Sequence, residues 1–235
     1  MISVCMATYN GSKYIKEQID SILCQLSADD ELIISDDGSK DDTCAIIEGY
    51  HDSRIKLLHN KKRHGYVGNF ENALVQVKGD YIFLSDQDDV WMQNKVVVMS
   101  KYLETYDLVT HNALIVDGEG KSLGKSYFDC MHNRSGFFAN FLETRHLGCC
   151  MAFNRAVLSK ALPFVSYNRG HDYWIGCVAD LAFKTIFIGD ELVHYRRHGG
   201  NASPSSEKSK STIWKKINKR LDMANALFLR FCHLK

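Results

Sequence analysis

Three carboxylates follow directly after an apolar run in the stretch DYIFLSDQDDVW at residues 80–91. The apolar run is rich in the aromatic and β-branched types that form a strand covered on both faces of a sheet. Asp86, Asp88 and Asp89 come next, and clustered carboxylates repel one another and are costly to desolvate. We therefore expect full solvation, basic partners or a bound cation at this point of the chain.

Asp86 and Asp88 stand two residues apart, so a chain that is still extended places both carboxylates on one side and Gln87 on the other. Such a pair offers the hard oxygen ligands that suit Mg²⁺ or Mn²⁺, with substrate phosphates completing the coordination. A solvated acidic turn that caps a helix from about Val90 explains the same residues equally well. Both interpretations stay open on this stretch alone.

Strand-like and helix-like segments alternate through the first half of the chain and position these residues. The apolar spacing predicts a first strand at ISVCMATY, a first helix with Asn10 or Ser12 as its N-cap, and three more strands, the last at DYIFLSDQDD. Such alternation indicates an α/β fold with a mostly parallel sheet and helices on both faces. Three polar clusters, ATYNG, SDDGSKDD and SDQDD, end strands of this sheet and should converge at one edge, where ligands bind in open α/β sheets.

Composition excludes several functional classes. The net charge of +1 gives no reason to expect nucleic acid as a partner. The chain lacks an apolar run of 18 residues and a basic leader, which predicts a protein that neither spans a membrane nor carries a classical secretion signal. The eight cysteines show neither a CxxC pair nor a metal-ligand spacing, so we expect free thiols in a cytoplasmic protein.

Seven ordered motifs between residue 2 and about residue 203 resemble the family 2 glycosyltransferases. The motifs are VCMATYNG, SDDGSKDDT, GNFENAL, FLSDQDDVW, HLGCCMAF, GHDYWIG and YRRHGGNAS. The resemblance implies a GT-A nucleotide-diphosphosugar transferase fold, a divalent cation (Mn²⁺ or Mg²⁺) and inverting sugar transfer from a nucleotide-diphosphosugar to an acceptor hydroxyl. DQDDVW and YRRHGGN are similar in particular to rhamnosyltransferase-like enzymes of bacterial O-antigen and capsule synthesis, whose acceptors are glycans or lipid-linked saccharides.

Two other functions remain open. A catalytically inactive module that binds sugar nucleotides would share the fold. A nucleotidyltransferase would also use a carboxylate-held metal, but it would require a glycine-rich basic loop after the first strand, and ATYNGSKY has one glycine and one lysine.

The resemblance also implies roles for the nucleotide-binding residues. Ala7, Thr8 and Tyr9 would line the nucleobase pocket, with Tyr9 as the stacking ring, although a core tyrosine at a strand end is the alternative. Asp37 would accept from the N3–H group of the base, and Asp86 would lie near the ribose and the metal. An aromatic face and a carboxylate suit a pyrimidine.

For the metal and the chemical step, the resemblance points to SDQDD and to two later motifs, GHDYWIG and YRRHGGNAS. Asp88 would bind the metal, and His198 would reach the metal or the diphosphate, although a lone histidine is often structural. Asp172 would be the catalytic base, with an N-cap of the following helix as its alternative. Arg196 and Arg197 would screen the diphosphate or form a solvated turn.

We predict a GT-A domain at residues 1–203, with a nucleotide-sugar-binding half (1–110) and an acceptor half (111–203). Residues 204–235 form a basic amphipathic tail, in which Ile213, Ile217, Leu221 and Ala224 recur at helical spacing. The tail is expected either to contact the cytoplasmic membrane peripherally or to pack on the domain or on a second subunit in a homodimer.

Overall fold

The computed structural model describes residues 1–131, 136–165, 170–199 and 213–232. Within these residues the strands are β1 (Ile2–Thr8), β2 (Glu31–Asp36), β3 (Ile55–His59), β4 (Tyr81–Asp86), β5 (Val90–Trp91), β6 (Leu108–Val116), β7 (Ser122–Ser126), β8 (Met151–Asn154) and β9 (Thr185–Arg196). The helices of the same residues are α1 (Ile15–Leu23), α2 (Thr43–Glu48), α3 (Tyr66–Leu74), α4 (Lys95–Leu103), α5 (Tyr127–Met131), α6 (Phe137–Leu142), α7 (Arg155–Ala161), α8 (His171–Ala182) and α9 (Ile213–Cys232).

The described strands form one sheet in the order β3-β2-β1-β4-β8-β6-β9-β5, with β7 added beside β6. β1 is parallel to β2 and β4, β2 is parallel to β3, and β6 is parallel to β9. β8 is antiparallel to both of its neighbours, so β6 and β9 point in the same direction as β1 to β4. The prediction of a mostly parallel sheet is confirmed, and β8 joins its two parallel groups.

Alternate side chains of the central strands enter two hydrophobic layers on opposite faces of the sheet. Val4 and Met6 pack with α1, α2 and α4 in one layer, whereas Cys5 packs with α3, α7, α8 and α9 in the other. In α1, Ile15, Ile19 and Ile22 are fully buried, as their helical spacing predicts. Helices therefore cover both faces, which leaves the strand ends as the exposed edges.

Two predicted helix boundaries are wrong. The helix expected from about Val90 begins at Lys95, because Val90 and Trp91 instead form a short strand that pairs with His194 and Val193 of β9. This pairing connects the two predicted halves of the domain. The N-cap position of α1 is Tyr14, rather than Asn10 or Ser12.

The C-terminal helix α9 packs on the domain through a face that differs from its predicted apolar stripe. Met223, Ala226 and Leu227 are buried in the same layer as α8, whereas Ile217 and Leu221 are exposed. The side chains of Ile213, Lys215 and Lys216 and the tail residues 204–212 lie outside the described part of the chain. Across the residues that the structure describes, no helix combines the length and apolarity needed to cross a bilayer.

Candidate active site

The polar ends of β1, β2 and β4 meet at one edge of the sheet, as their sequence positions predict. Ala7 pairs with Asp86 of β4, and Thr8 pairs with Asp36 of β2. Parallel strands that end together bring their following turns together, so Tyr9, Asp37 and the acidic turn border one crevice.

Tyr9 lies just beyond β1 with 51% of its surface exposed. It is therefore not a core tyrosine, and its ring is available for a flat partner. Ala7 is half-buried beside it, and Thr8 is buried. The arrangement leaves Tyr9 as the open aromatic side chain at the end of this strand.

The side chain of Gln87 holds the Tyr9 segment in place, a contact that the sequence did not predict. Gln87 Oε1 accepts from Thr8 Oγ1 at 2.5 Å and from the Tyr9 backbone N–H at 2.8 Å. Its Nε2 donates to the Tyr9 carbonyl at 3.1 Å. A Cβ atom added at Gly11 would lie 2.2 Å from Gln87 Oε1, so this approach requires glycine.

Asp37 orders the loop that leads into α3. Its Oδ1 accepts from Asn60 Nδ2 at 2.8 Å and lies 3.0 Å from His64 Nδ1, while its Oδ2 accepts from the Gly65 N–H at 2.6 Å. Gly65 has a φ of +100°, a left-handed region that glycine adopts without a Cβ penalty. The loop borders a cavity of about 400 Å³ lined by residues 63–68. Oδ2 accepts one hydrogen bond here and has a second lone pair, so Asp37 can still accept from a ligand.

Asn69 lies inside α3 and joins β1 to β2. Its Nδ2 donates to the carbonyls of Thr8 and Ser35, and its Oδ1 accepts from Ser35 Oγ at 2.6 Å. The Asn69 side chain is therefore buried between strand ends and does not cap the helix. The cap position of α3 is Gly65.

The two side chains expected to hold a metal lie in contact. His198 Nε2 is 2.8 Å from Asp88 Oδ2, and both side chains are largely buried. The His198 ring also lies 4.9 Å from the Tyr14 ring, centroid to centroid. One ion could be ligated by both atoms, since a carboxylate oxygen and an imidazole nitrogen are both ligands of Mn²⁺.

Arg196 is buried and contacts this turn. Its backbone N–H donates to Asp89 Oδ1 at 2.9 Å, and its Nε donates to the Asp88 carbonyl at 2.8 Å. Its Nη2 donates to Glu17 Oε2 at 2.7 Å. The interpretation of Arg196 as part of a solvated turn is therefore wrong, because its buried guanidinium joins the acidic turn to the end of β9.

The acidic turn holds more negative charge than its surroundings easily accommodate. Desolvation, followed by the charges of Asp88 and Asp172, raises the pKa of Asp86 to about 8. Burial, together with Asp88 and Asp86, raises the pKa of Asp89 well above its usual value, and Asp89 Oδ2 is buried with no hydrogen-bond partner. A divalent cation would offset this charge, so the carboxylates present fit a metal.

Lys95 is a buried cation beneath the same turn, and the sequence analysis missed it. Its ammonium donates to the Cys149 carbonyl at 2.7 Å and lies 4.1 Å from the centroid of the Trp91 ring. Desolvation lowers its pKa to about 8. Lysine in a helix usually extends into solvent, so only the observed burial reveals its position.

Asp172 lies in the first turn of α8 and faces the acidic turn across the crevice. Its charge raises the pKa of both Asp86 and Tyr66, after desolvation as the larger cause in each case. The N-cap of α8 is Gly170, so the alternative of an N-cap role for Asp172 is wrong. Asp172 is half-buried.

His171, which precedes Asp172, is a packing residue. Its ring stacks on Phe70 with 3.8 Å between centroids, and burial lowers its pKa although Asp172 opposes the shift. Asp172 is therefore the residue of the GHDYWIG motif that can act as a base in the site.

Comparison with known proteins places this geometry among sugar-transferring enzymes. The sequence model described as "Glycosyl transferase family 2" matches residues 3–163. The chain is 26% identical over 225 residues to UDP-Glc:alpha-D-GlcNAc-diphosphoundecaprenol beta-1,3-glucosyltransferase WfgD of Escherichia coli, covering 91% of this chain and 84% of that protein. It is 28% identical over 213 residues to dTDP-rhamnosyl transferase RfbG of Shigella flexneri, covering 83% of this chain and 72% of that protein.

Solved structures confirm the predicted fold. The crystal structure of S. aureus TarS 1-349 in complex with UDP-GlcNAc superimposes with a TM-score of 0.72 at 19% identity, covering 94% of this chain and 66% of that one. Mannosyltransferase PcManGT from Pyrobaculum calidifontis, in complex with GDP-Man and Mn²⁺, superimposes with a TM-score of 0.63 at 19% identity, covering 97% of this chain and 64% of that one. At this identity the likeness establishes the fold, and the GT-A prediction holds.

Proposed function

The chain belongs to glycosyltransferase family 2, and on that premise we propose that it transfers a sugar from a nucleotide-diphosphosugar to an acceptor hydroxyl. One observation carries the proposal: at the edge where β1, β2 and β4 end, Asp88 contacts His198, and desolvation, Asp88 and the charge of Asp172 raise the pKa of Asp86. A pair of side chains able to hold a metal and a nearby carboxylate able to take a proton are the parts that such a transfer requires.

The donor nucleotide is proposed to bind across the ends of β1 and β2. The exposed Tyr9 ring would stack on the base, and Ala7 and Thr8 would form the adjoining wall. Asp37 would accept a hydrogen bond from the base and would keep the loop at residues 60–65 against it, through the contacts it already makes with that loop. Asp86 would lie near the ribose. A pyrimidine donor fits this set, because an imide N–H donates to a carboxylate.

Asp88 and His198 would hold a divalent cation, Mn²⁺ or Mg²⁺, at the diphosphate. Such an ion acts as a Lewis acid that stabilises the charge on a departing diphosphate. The buried contacts of Arg196 keep Asp88 oriented toward His198, since they fix the backbone on both sides of the pair. PcManGT, which has the same fold, was crystallised with Mn²⁺.

Asp172 is proposed as the general base in a single displacement. It would take the proton of the acceptor hydroxyl while that oxygen forms a bond to the anomeric carbon, as the bond from this carbon to the diphosphate oxygen breaks. The electron pair of the broken bond leaves with the nucleotide diphosphate. One displacement inverts the anomeric configuration, and general base catalysis of this kind contributes about 10²–10⁴ in rate.

The acceptor is proposed to be a lipid-linked saccharide in bacterial surface polysaccharide synthesis. The names of two relatives, a glucosyltransferase acting on a diphosphoundecaprenol-linked sugar and a dTDP-rhamnosyl transferase, support this class. We assign residues 1–110 to donor binding and 111–203 to the acceptor side, with 204–235 as a tail. A cytoplasmic enzyme would meet the donor and a membrane-borne acceptor at the inner face of the membrane.

A donor screen tests the proposal. Hydrolysis of dTDP-, UDP- and GDP-sugars is measured with and without MnCl₂, and we expect one nucleotide class to release its diphosphate in a metal-dependent reaction. Nucleotide binding without turnover of any donor would indicate an inactive binding module. Formation of a nucleoside triphosphate from pyrophosphate and donor would indicate a nucleotidyltransferase.

A further inference from the structure

Helices α6 and α9 contact each other, and both carry exposed apolar side chains. Phe138 and Leu142 of α6 are 79% and 58% exposed, and Trp214 and Leu221 of α9 are 74% and 63% exposed. Ile217 of α9 lies between the latter two and is also exposed. Together these five side chains are called the α6/α9 surface. Exposed apolar groups of this size, clustered rather than scattered, indicate an interaction site.

Packing of α9 does not account for these side chains. The helix is fixed to the domain by Met223, Ala226 and Leu227, which are buried beside α8. Arg230 Nη1 donates to the Leu162 carbonyl at 2.8 Å near its C-terminal end. By helical spacing Trp214, Ile217 and Leu221 lie on the face opposite these buried side chains, so packing on the domain leaves them exposed.

The two helices of the surface are joined to each other. Arg220 of α9 donates from its guanidinium to the Leu142 carbonyl at the end of α6. α6 and α9 therefore present their apolar side chains from a fixed relative position, which a flat partner can contact without first ordering them.

The charge of α9 decides which partner fits. The segment 213–232 holds five basic residues and one acidic residue, and four of the basic ones lie in its first half: Lys215, Lys216, Lys219 and Arg220. The spacing of Trp214, Ile217 and Leu221 would also suit a coiled coil with a second copy, but pairing two such helices in parallel would oppose cation to cation. An anionic lipid surface accepts both the apolar groups and the cations.

We propose that the α6/α9 surface docks the protein on an anionic lipid bilayer. Its aromatic and aliphatic side chains enter the boundary between headgroups and acyl chains, while Lys219 faces the anionic headgroups. No helix of the described residues spans the bilayer, so the contact is peripheral and reversible.

The docking surface lies near the acceptor side of the crevice. Tyr173, next to Asp172, donates from its hydroxyl to the Phe141 carbonyl of α6 at 2.7 Å. Membrane docking through α6 would thus bring the proposed base close to a lipid-borne substrate. This link to catalysis rests on the proposed function, whereas bilayer binding itself does not.

Vesicle co-sedimentation of the full chain tests the proposal. We expect binding to phosphatidylglycerol-containing vesicles at low salt, weak binding to pure phosphatidylcholine, and release at high salt because screening weakens the contact. Replacing Phe138, Trp214 and Leu221 together by Ser should lower the partition coefficient tenfold or more, because burial of even one apolar side chain of this size contributes about that much. Lys219→Gln should lower it about fivefold, since one basic residue near an anionic surface contributes roughly 1 kcal/mol.

Matched variants on the opposite face of the sheet serve as controls. Val97 of α4 is 74% exposed, like Trp214, and Lys101 of the same helix is also exposed. Val97→Ser and Lys101→Gln should leave vesicle binding unchanged. Circular dichroism on the same preparations detects a folding defect. Nucleotide binding tests the active-site assignment separately from the docking assignment.

Three results would overturn the proposal. The wild-type chain could fail to sediment with anionic vesicles, or the triple Ser variant could sediment as well as the wild type. Equilibrium sedimentation could also show that the wild type dimerises and the triple Ser variant does not. Without vesicle binding by the wild type, this result would assign the surface to self-association.

Discussion

Asp88, His198 and Asp172 are the three residues that we propose to act on the bound donor and acceptor. The spacing of Asp86 and Asp88 predicted a carboxylate pair at a strand end, and the family resemblance supplied His198 and Asp172, which no local pattern would single out. The Asp88–His198 contact spans 110 residues of sequence. Such a contact forms only when the whole sheet is folded, so it cannot be read from either motif alone.

Asp172→Asn tests the proposed base. The amide cannot take a proton, so we expect kcat to fall by about 10²–10⁴ while the affinity for the nucleotide stays nearly unchanged. Steady-state kinetics with a defined donor, together with calorimetric titration of the nucleotide, measures both quantities. Asp129→Asn, in the first turn of α5, is the matched control. Normal kcat with lost donor binding would make Asp172 a donor ligand instead.

Tyr9→Ala tests the proposed stacking ring. Loss of an aromatic face beneath a base costs about 1–3 kcal/mol, so nucleotide affinity should fall by roughly tenfold or more. Tyr9→Phe should bind like the wild type, because it keeps the ring and removes only the hydroxyl. Equal affinity of the Ala and Phe variants would exclude stacking on this side chain.

Several side chains that hold strand ends together escaped prediction from the sequence. Asn69, Gln87 and Arg196 each hold backbone groups of segments distant in sequence. Polar residues in turns and helices are ordinarily solvated or capping, and their local sequence carries no sign of the distant carbonyl or N–H that they satisfy. By contrast, the strands and helices could be predicted from apolar periodicity, because periodicity is a local property of the sequence.

Asn69→Ala tests the contribution of such a contact to stability. The variant loses three hydrogen bonds between α3 and the ends of β1 and β2. Because these groups are buried, we expect a loss of about 2 kcal/mol in the free energy of unfolding. Asn72→Ala, on the same helix, removes one bond from a half-buried side chain and should cost less than about 1 kcal/mol. Urea unfolding with unchanged m-values measures both; equal losses would contradict the assignment.

One continuous sheet carries the proposed donor and acceptor sides together. The order of elements and the coverage of both faces follow from the alternation of apolar strands with amphipathic helices. The orientation of α9 did not follow, because two stripes along its sequence could each have been the buried one. Met223, Ala226 and Leu227 are buried instead of the predicted stripe because they join the apolar layer that contains α7 and α8, which is a property of the domain rather than of α9.

The central claim is that Asp88 couples a divalent cation to the binding of a nucleotide diphosphate, and calorimetric titration tests it directly. The nucleotide of the preferred donor is titrated into wild-type protein and into Asp88→Asn, each with and without MnCl₂, with the exposed Asp190→Asn as the charge-matched control. We predict that Mn²⁺ tightens binding to the wild type and to Asp190→Asn by at least tenfold, roughly 1.4 kcal/mol. Asp88→Asn should retain the metal-free affinity and lose this increase. An undiminished effect of Mn²⁺ in Asp88→Asn would contradict the account.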